Sequence, residues 1–166
     1  MVNSFMIQRI QTLYLLAVAA LGIALIWLPA IIFVSAEDAE TLRIWELGAT
    51  GLTEVTETEL APIVLQGVWG LTLTTVLIPV LALIDIFLYK KRILQARLNI
   101  FQVMLCLGYY GVMAIYVWLM KMTVENVQWS PDFWAAIPLI CMVLTLMATR
   151  RILKDEALVR AADRIR

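Results

Sequence analysis

Lys90-Lys91-Arg92-Ile93-Leu94-Gln95-Ala96-Arg97-Leu98-Asn99-Ile100 is the basic segment around which the chain is organised. One long apolar run ends at its left edge and another begins at its right edge. Between them stand four cations, Lys90, Lys91, Arg92 and Arg97, with no acid among them. Short positive loops between membrane-length segments are retained on the cytoplasmic side. The stretch is therefore predicted to be a cytoplasmic hairpin elbow, and it orients everything else.

Composition agrees with a membrane setting. Hydrophobic residues make up 63% of the 166-residue chain and charged residues only 16%, with mean hydropathy +0.88. A soluble domain is about half apolar and about a quarter charged, so the excess points to an integral membrane protein of one domain, 1–166. The absence of histidine removes the commonest metal ligand and general base together. Cys106 and Cys141 lie in separate apolar runs and read as small buried hydrophobes rather than a disulfide or metal pair.

Outward from the elbow, four apolar runs are predicted to span: residues 12–34, 62–89, 98–120 and 133–149. The first holds 23 residues without a charge, about 35 Å as a helix, against a hydrocarbon core of about 30 Å. A cleavable signal peptide ending near Val34-Ser35-Ala36 is the rival. Signal cores run to about 7–15 apolar residues, so an uncleaved anchor is preferred. Pro29 can stop that helix early. The second run is long for one crossing, and tilt, a kink at Pro79 or an emergent turn would absorb the excess. In the third, Gly108, Gly111 and Ala114 recur every three residues and can let a neighbouring helix approach.

Residues 35–61 form the predicted external loop, with seven acids against one base, Arg43. Within it, Thr41 to Leu52 mixes β-formers with Gly48 and Gly51, which allows a short hairpin or strand pair. Exclusion of cations from an external loop explains the acids, and their spacing fits no calcium loop. The tail, residues 150–166, is predicted to continue the last helix into the cytoplasm. In this layout eleven of the thirteen bases lie inside, leaving Arg43 and Lys121 outside. All six tryptophans fall in the outer half, as interfacial indoles do.

Asp85 is the one acid within an apolar run, and intramembrane acids are functional suspects by default. It lies only about 7 Å from the inner edge by helix rise. An ion pair with Arg92 or Arg97, or an interfacial carboxylate, is the simpler reading than a proton relay. Gln66, Asn99, Gln102 and Thr145 are better read as bonding across a bundle than as lining a path. No phosphate loop, nucleophile–base pair or metal spacing is present in the sequence. No cofactor, no nucleic acid and no small-molecule substrate is expected. The mixed-charge tail predicts that Glu156, Arg160, Asp163 and Arg164 pack on protein, either the elbow residues Lys90, Lys91, Arg92 and Arg97 or a partner subunit.

Three stretches carry a resemblance: Met6–Leu16, Lys90–Ile100 and Lys154–Arg166. Together they resemble a family of small four-span inner-membrane proteins of the Bacteroidota that bears the label domain of unknown function. The resemblance implies a four-helix protein of a Gram-negative inner membrane and carries over no catalytic residues. The acidic loop is outside it.

The expectation is therefore an all-α, integral membrane four-helix bundle with a cytoplasmic C-terminal helical extension and both termini cytoplasmic. Its role is read as a non-enzymatic structural or accessory subunit, touching the bilayer and either a membrane-protein partner or a second copy. The alternative is a small transporter or channel using Asp85 and polar residues of the second helix.

Overall fold

The computed structural model describes residues 2–38, 41–55, 63–66, 68–89, 91–124 and 126–163; within these, side chains 2–10, 36–38, 41–42, 63–66, 92, 155 and 158–163 are left undescribed. The chain runs α1 (Val2–Ala24), β1 (Pro29–Asp38), β2 (Thr41–Gly48), β3 (Gly51–Val55), β4 (Ile63–Gln66), α2 (Trp69–Phe87), α3 (Arg92–Thr123), β5 (Gln128–Pro131), a 3-10 turn (Phe133–Ala136) and α4 (Ile137–Asp163). The five strands form one antiparallel sheet in the order β4-β3-β2-β1-β5. The fold is thus α+β, and the all-α expectation is wrong.

The reason lies in residues 25–35. Although the run is apolar throughout, α1 ends at Ala24 and closes in tightened turns, Ile26 N–H to Ile23 O at 3.1 Å and Trp27 N–H to Ala24 O at 3.2 Å. Pro29 has no N–H to continue a helix and opens β1, where a missing ladder donor costs least. The β-branched residues Ile31, Ile32 and Val34 then suit a pleated surface. Ile31, Phe33 and Ser35 point to the buried face, with Ile32 and Val34 half-buried on the other. Phe33 sits opposite Trp45 on β2 and Trp129 on β5.

The allowed hairpin between residues 41 and 52 is real but larger than expected. β2 and β3 pair from Ile44↔Val55 to Gly48↔Gly51 around the two-residue turn Ala49-Thr50. Gly51 takes φ 145°, a conformation that favours glycine over any L side chain. The second apolar run is likewise divided. Its first residues form β4, and the helix begins only at Trp69, leaving 19 residues, about 29 Å.

The elbow is shorter than its charge pattern suggests. α3 already begins at Arg92, and the Gln95 N–H bonds Lys91 O at 3.0 Å. α4 runs unbroken from Ile137 through the tail to Asp163. Three helical segments are long and apolar enough to cross a membrane: Trp69–Phe87, Ile93–Thr123 and Phe133–Lys154; Gln11–Ala24 is a shorter apolar helix.

α1 packs on α2 and α4, and α3 packs on the same two, so the helices close a ring. The sheet covers one end of that ring and shares its core, with Phe33, Trp45 and Leu47 continuous with Leu71, Tyr109 and Ile137. Thr72 ties the two parts, its hydroxyl donating to Ala49 O at 2.6 Å. Tyr110 ties α3 to the start of α4. Its hydroxyl donates to Ala135 O at 2.8 Å and accepts from the Leu139 N–H at 3.1 Å, one of the first-turn donors a helix leaves unpaired. Tyr110→Phe removes both bonds, and a loss of about 1–3 kcal/mol is expected, read as a lower thermal midpoint in detergent.

Tryptophans mark the sheet end. Trp27, Trp69, Trp118, Trp129 and Trp134 are exposed there, while Trp45 is buried in the sheet. Lys121 Nζ stands 5.7 Å from the Trp129 ring centroid, a cation–π contact. Gly108, Gly111 and Ala114 are exposed, and a Cβ built on either glycine would meet nothing within 4 Å. The close helix approach occurs instead at Gly22, against Pro79 and Ile78.

Candidate functional site

Asp85 lies near the C-terminal end of α2, one turn from the elbow, and is fully buried. Neither carboxylate oxygen has a hydrogen-bond partner among the described residues. The ion pair expected with the elbow is absent among the described residues: Arg97 is exposed and the Arg92 side chain lies outside them. Asp85 is the only buried residue of charged type among the described residues.

Around it the helices assemble a column of neutral polar groups. On α3, Gln95, Asn99 and Gln102 fall at i, i+4 and i+7, one face of a helix, and all three are buried. Gln95 Nε2 donates to Asp85 O at 3.1 Å and Gln102 Nε2 to Ile78 O at 3.3 Å. The two bonds share one antiparallel register between α2 and α3. Asn99 lies between them on that face, opposite the α2 turn that ends in Asp85. Neither of its amide atoms has a hydrogen-bond partner among the described residues.

α1 contributes Gln11, buried and with Nε2 unpartnered. Because Gly22 meets Pro79, helix rise places Gln11 about 7 Å nearer the elbow than Asp85. α4 adds buried Thr145 and Thr149, whose hydroxyls donate to Cys141 O at 2.7 Å and Thr145 O at 2.8 Å. The column therefore runs from Gln102 through Asn99 and Asp85 to Gln11.

Hydroxyls of α2 do not join it. Thr74 and Thr75 donate to Gly70 and Leu71 carbonyls of their own helix, and Thr72 to Ala49 O of the sheet turn and Val68 O at the helix cap. The Gln66 side chain lies outside the described residues. Sequence reasoning missed Gln11, Gln95 and Thr149. Gln95 was hidden in the elbow, and only the 95-99-102 spacing, once α3 is known to start at Arg92, would have revealed it.

At the elbow end a second feature joins tail and elbow. A cleft of about 380 Å3 between α3 and α4 is walled by Ile93, Arg97, Ile100, Ile152, Leu153 and Glu156 among others. Glu156, half-buried, and Arg97 of the same chain both line it. Lys91 is exposed just before α3. Lys90 and Arg164, and the side chains of Arg160 and Asp163, lie outside the described residues.

At the opposite end, a larger cleft of about 440 Å3 opens between the sheet and α3. Phe33, Trp45 and Leu52 form one wall and Tyr116, Leu119 and Met120 another, with Arg43 and Glu54 the charged groups at its sides.

A family model described as "Domain of unknown function (DUF4293)" matches residues 7–165. The chain belongs to the DUF4293 family. The match spans α1 to the end of α4, so the polar column, the elbow and both clefts all lie within the DUF4293 region. No curated protein matches the chain.

Proposed function

We propose that this chain is a non-enzymatic accessory subunit that crosses a bacterial inner membrane four times. In this reading the elbow, the tail and both termini face the cytoplasm, and the sheet lies on the other side. The basic elbow and the tryptophans at the sheet end support that orientation. α1 is the fourth crossing, its 23 residues amounting to about 35 Å.

One observation carries the accessory role: Gly108, Gly111 and Ala114 form a stripe exposed on α3, with open space above both glycines. Small residues let helix backbones approach closely in lipid, where dispersion and weak hydrogen bonds replace the hydrophobic drive. A partner helix, from another protein or a second copy, seats on that stripe. The test is a native gel of the protein extracted in mild detergent, with mass spectrometry of the band. Gly111→Leu is expected to reduce the size of the complex while leaving the thermal midpoint of the isolated chain unchanged. An unaltered complex contradicts the role.

The polar column favours a second reading, a small transporter or channel built on Asp85. Its polar lining comes from α3 and α1, since the α2 hydroxyls bond carbonyls of their own helix, its cap and the β2–β3 turn. Flux into vesicles that is lost in Asp85→Asn would select this reading over the first.

A further inference from the structure

Among the described residues, five buried polar side-chain atoms have no hydrogen-bond partner: Asp85 Oδ1 and Oδ2, Asn99 Oδ1 and Nδ2, and Gln11 Nε2. They come from three different helices. Buried polar groups are nearly always hydrogen-bonded, so these orphans need a physical cause. We propose that the column is a proton-binding site, in which Asp85 holds one proton shared with Asn99 and exchanges it with the elbow face past Gln11.

Counting donors and acceptors leads to a proton. Ionised, Asp85 only accepts, and it presents a full negative charge to an apolar interior. One proton changes the balance. The carboxyl O–H then donates to Asn99 Oδ1, while Asn99 Nδ2 donates to the other carboxyl oxygen, closing a cyclic acid–amide pair. Small rotamer changes or a bridging water bring the groups into register, and water is plausible where a buried site offers several polar partners. Gln11, about 7 Å nearer the elbow by helix rise, is the next unpartnered polar group on that side. A metal cation fits less well, because the N–H groups of Asn99 and Gln11 would face its charge.

Among the described side chains, none is placed as a counter-ion to Asp85. On α1, Tyr14 is half-buried and the Arg9 side chain is outside the described residues. On α2, Tyr89 is exposed. On α3, Lys91 and Arg97 are exposed, and the Arg92 side chain is outside the described residues. On α4, Arg150, Arg151 and Lys154 are exposed, and Glu156 lines the elbow-end cleft that Arg97 also lines. The inference needs α2 to lie in the membrane, but not the choice between the accessory and transport readings.

Infrared spectroscopy of the full chain in phosphatidylethanolamine–phosphatidylglycerol vesicles tests it, at neutral pH in choline chloride. A carboxylic C=O band is expected, and it should be absent from Asp85→Asn. That amide is near-isosteric with the neutral acid, so its thermal midpoint should match wild type, which separates loss of the proton from loss of the fold. Asn99→Leu should move the band to higher frequency as the carboxyl loses its partner, whereas Gln102→Leu should leave it in place. In a second measurement, a hydrophobic carbodiimide, which adds to protonated carboxyls, should label Asp85 in wild type. Absence of both the band and the label overturns the proposal. Loss of the band when sodium replaces choline also overturns it, in favour of a metal cation.

Discussion

Phe33→Ala is expected to lower the thermal midpoint in detergent by roughly 6–20 °C. Truncating a buried aromatic residue costs about 3–5 kcal/mol, and each kcal/mol moves the midpoint of a chain of this size by about 2–4 °C. Phe33 is 1% exposed on β1, between Trp45 and Trp129 on the two flanking strands. Its ring also belongs to the core shared with α2 and α3. Removing it loosens the sheet and its seat on the helices together. Tryptophan fluorescence reads the change directly, because two indoles flank the site. Ile32→Ala, on the half-buried face of the same strand, should shift the midpoint clearly less. A shift below about 2 °C for Phe33→Ala would mean the sheet is not part of the cooperative core.

Gly22→Leu is expected to separate α1 from α2. A Cβ at Gly22 would stand 2.9 Å from Pro79 Cδ and 3.1 Å from both Pro79 N and Ile78 Cγ2. The proline ring and backbone cannot swing aside as a flexible chain end could, so the helices must move. α1 is also held to α4, where Cys141 Sγ lies 4.0 Å from Val18 O, and the strain reaches that contact. Overpacking of this kind costs about 1–3 kcal/mol, occasionally more. Gly22→Ala should fall between wild type and Gly22→Leu. Gly108→Leu, placed in open space, should leave the isolated chain as stable as before. Equal midpoints for Gly22→Leu and Gly108→Leu would refute the close approach.

Much of the helical part was legible because its signal is a simple one. Long uncharged runs, a basic elbow and a charged tail each report a single physical constraint. The sheet was less legible for the same reason. Hydropathy cannot distinguish a buried strand from a helix, so Pro29 to Val34 was absorbed into the first run and Ile63 to Gln66 into the second. The cues that separate them are local, a proline followed by β-branched residues and the pair Gly48 and Gly51. The site was half visible. Asp85 stands out as an acid in an apolar run, but its lack of a partner depends on which way Arg97 points, a tertiary fact. Gln11 and Gln95 carry no charge and sat at the edges of segments whose boundaries were misplaced. The small-residue stripe on α3 was read from spacing, but spacing alone does not tell an inward face from an outward one, and the stripe is exposed.

The proposed orientation puts the sheet across the membrane from the elbow. Single cysteines at Thr50, exposed in the β2–β3 turn, and at Lys91, exposed at the elbow, test it on a background lacking Cys106 and Cys141. A membrane-impermeant maleimide is applied to cells with a permeabilised outer membrane, before and after lysis of the inner one. The expected result is labelling of Thr50→Cys in intact cells and of Lys91→Cys only after lysis. Labelling of Lys91→Cys in intact cells, with Thr50→Cys protected until lysis, would contradict the account.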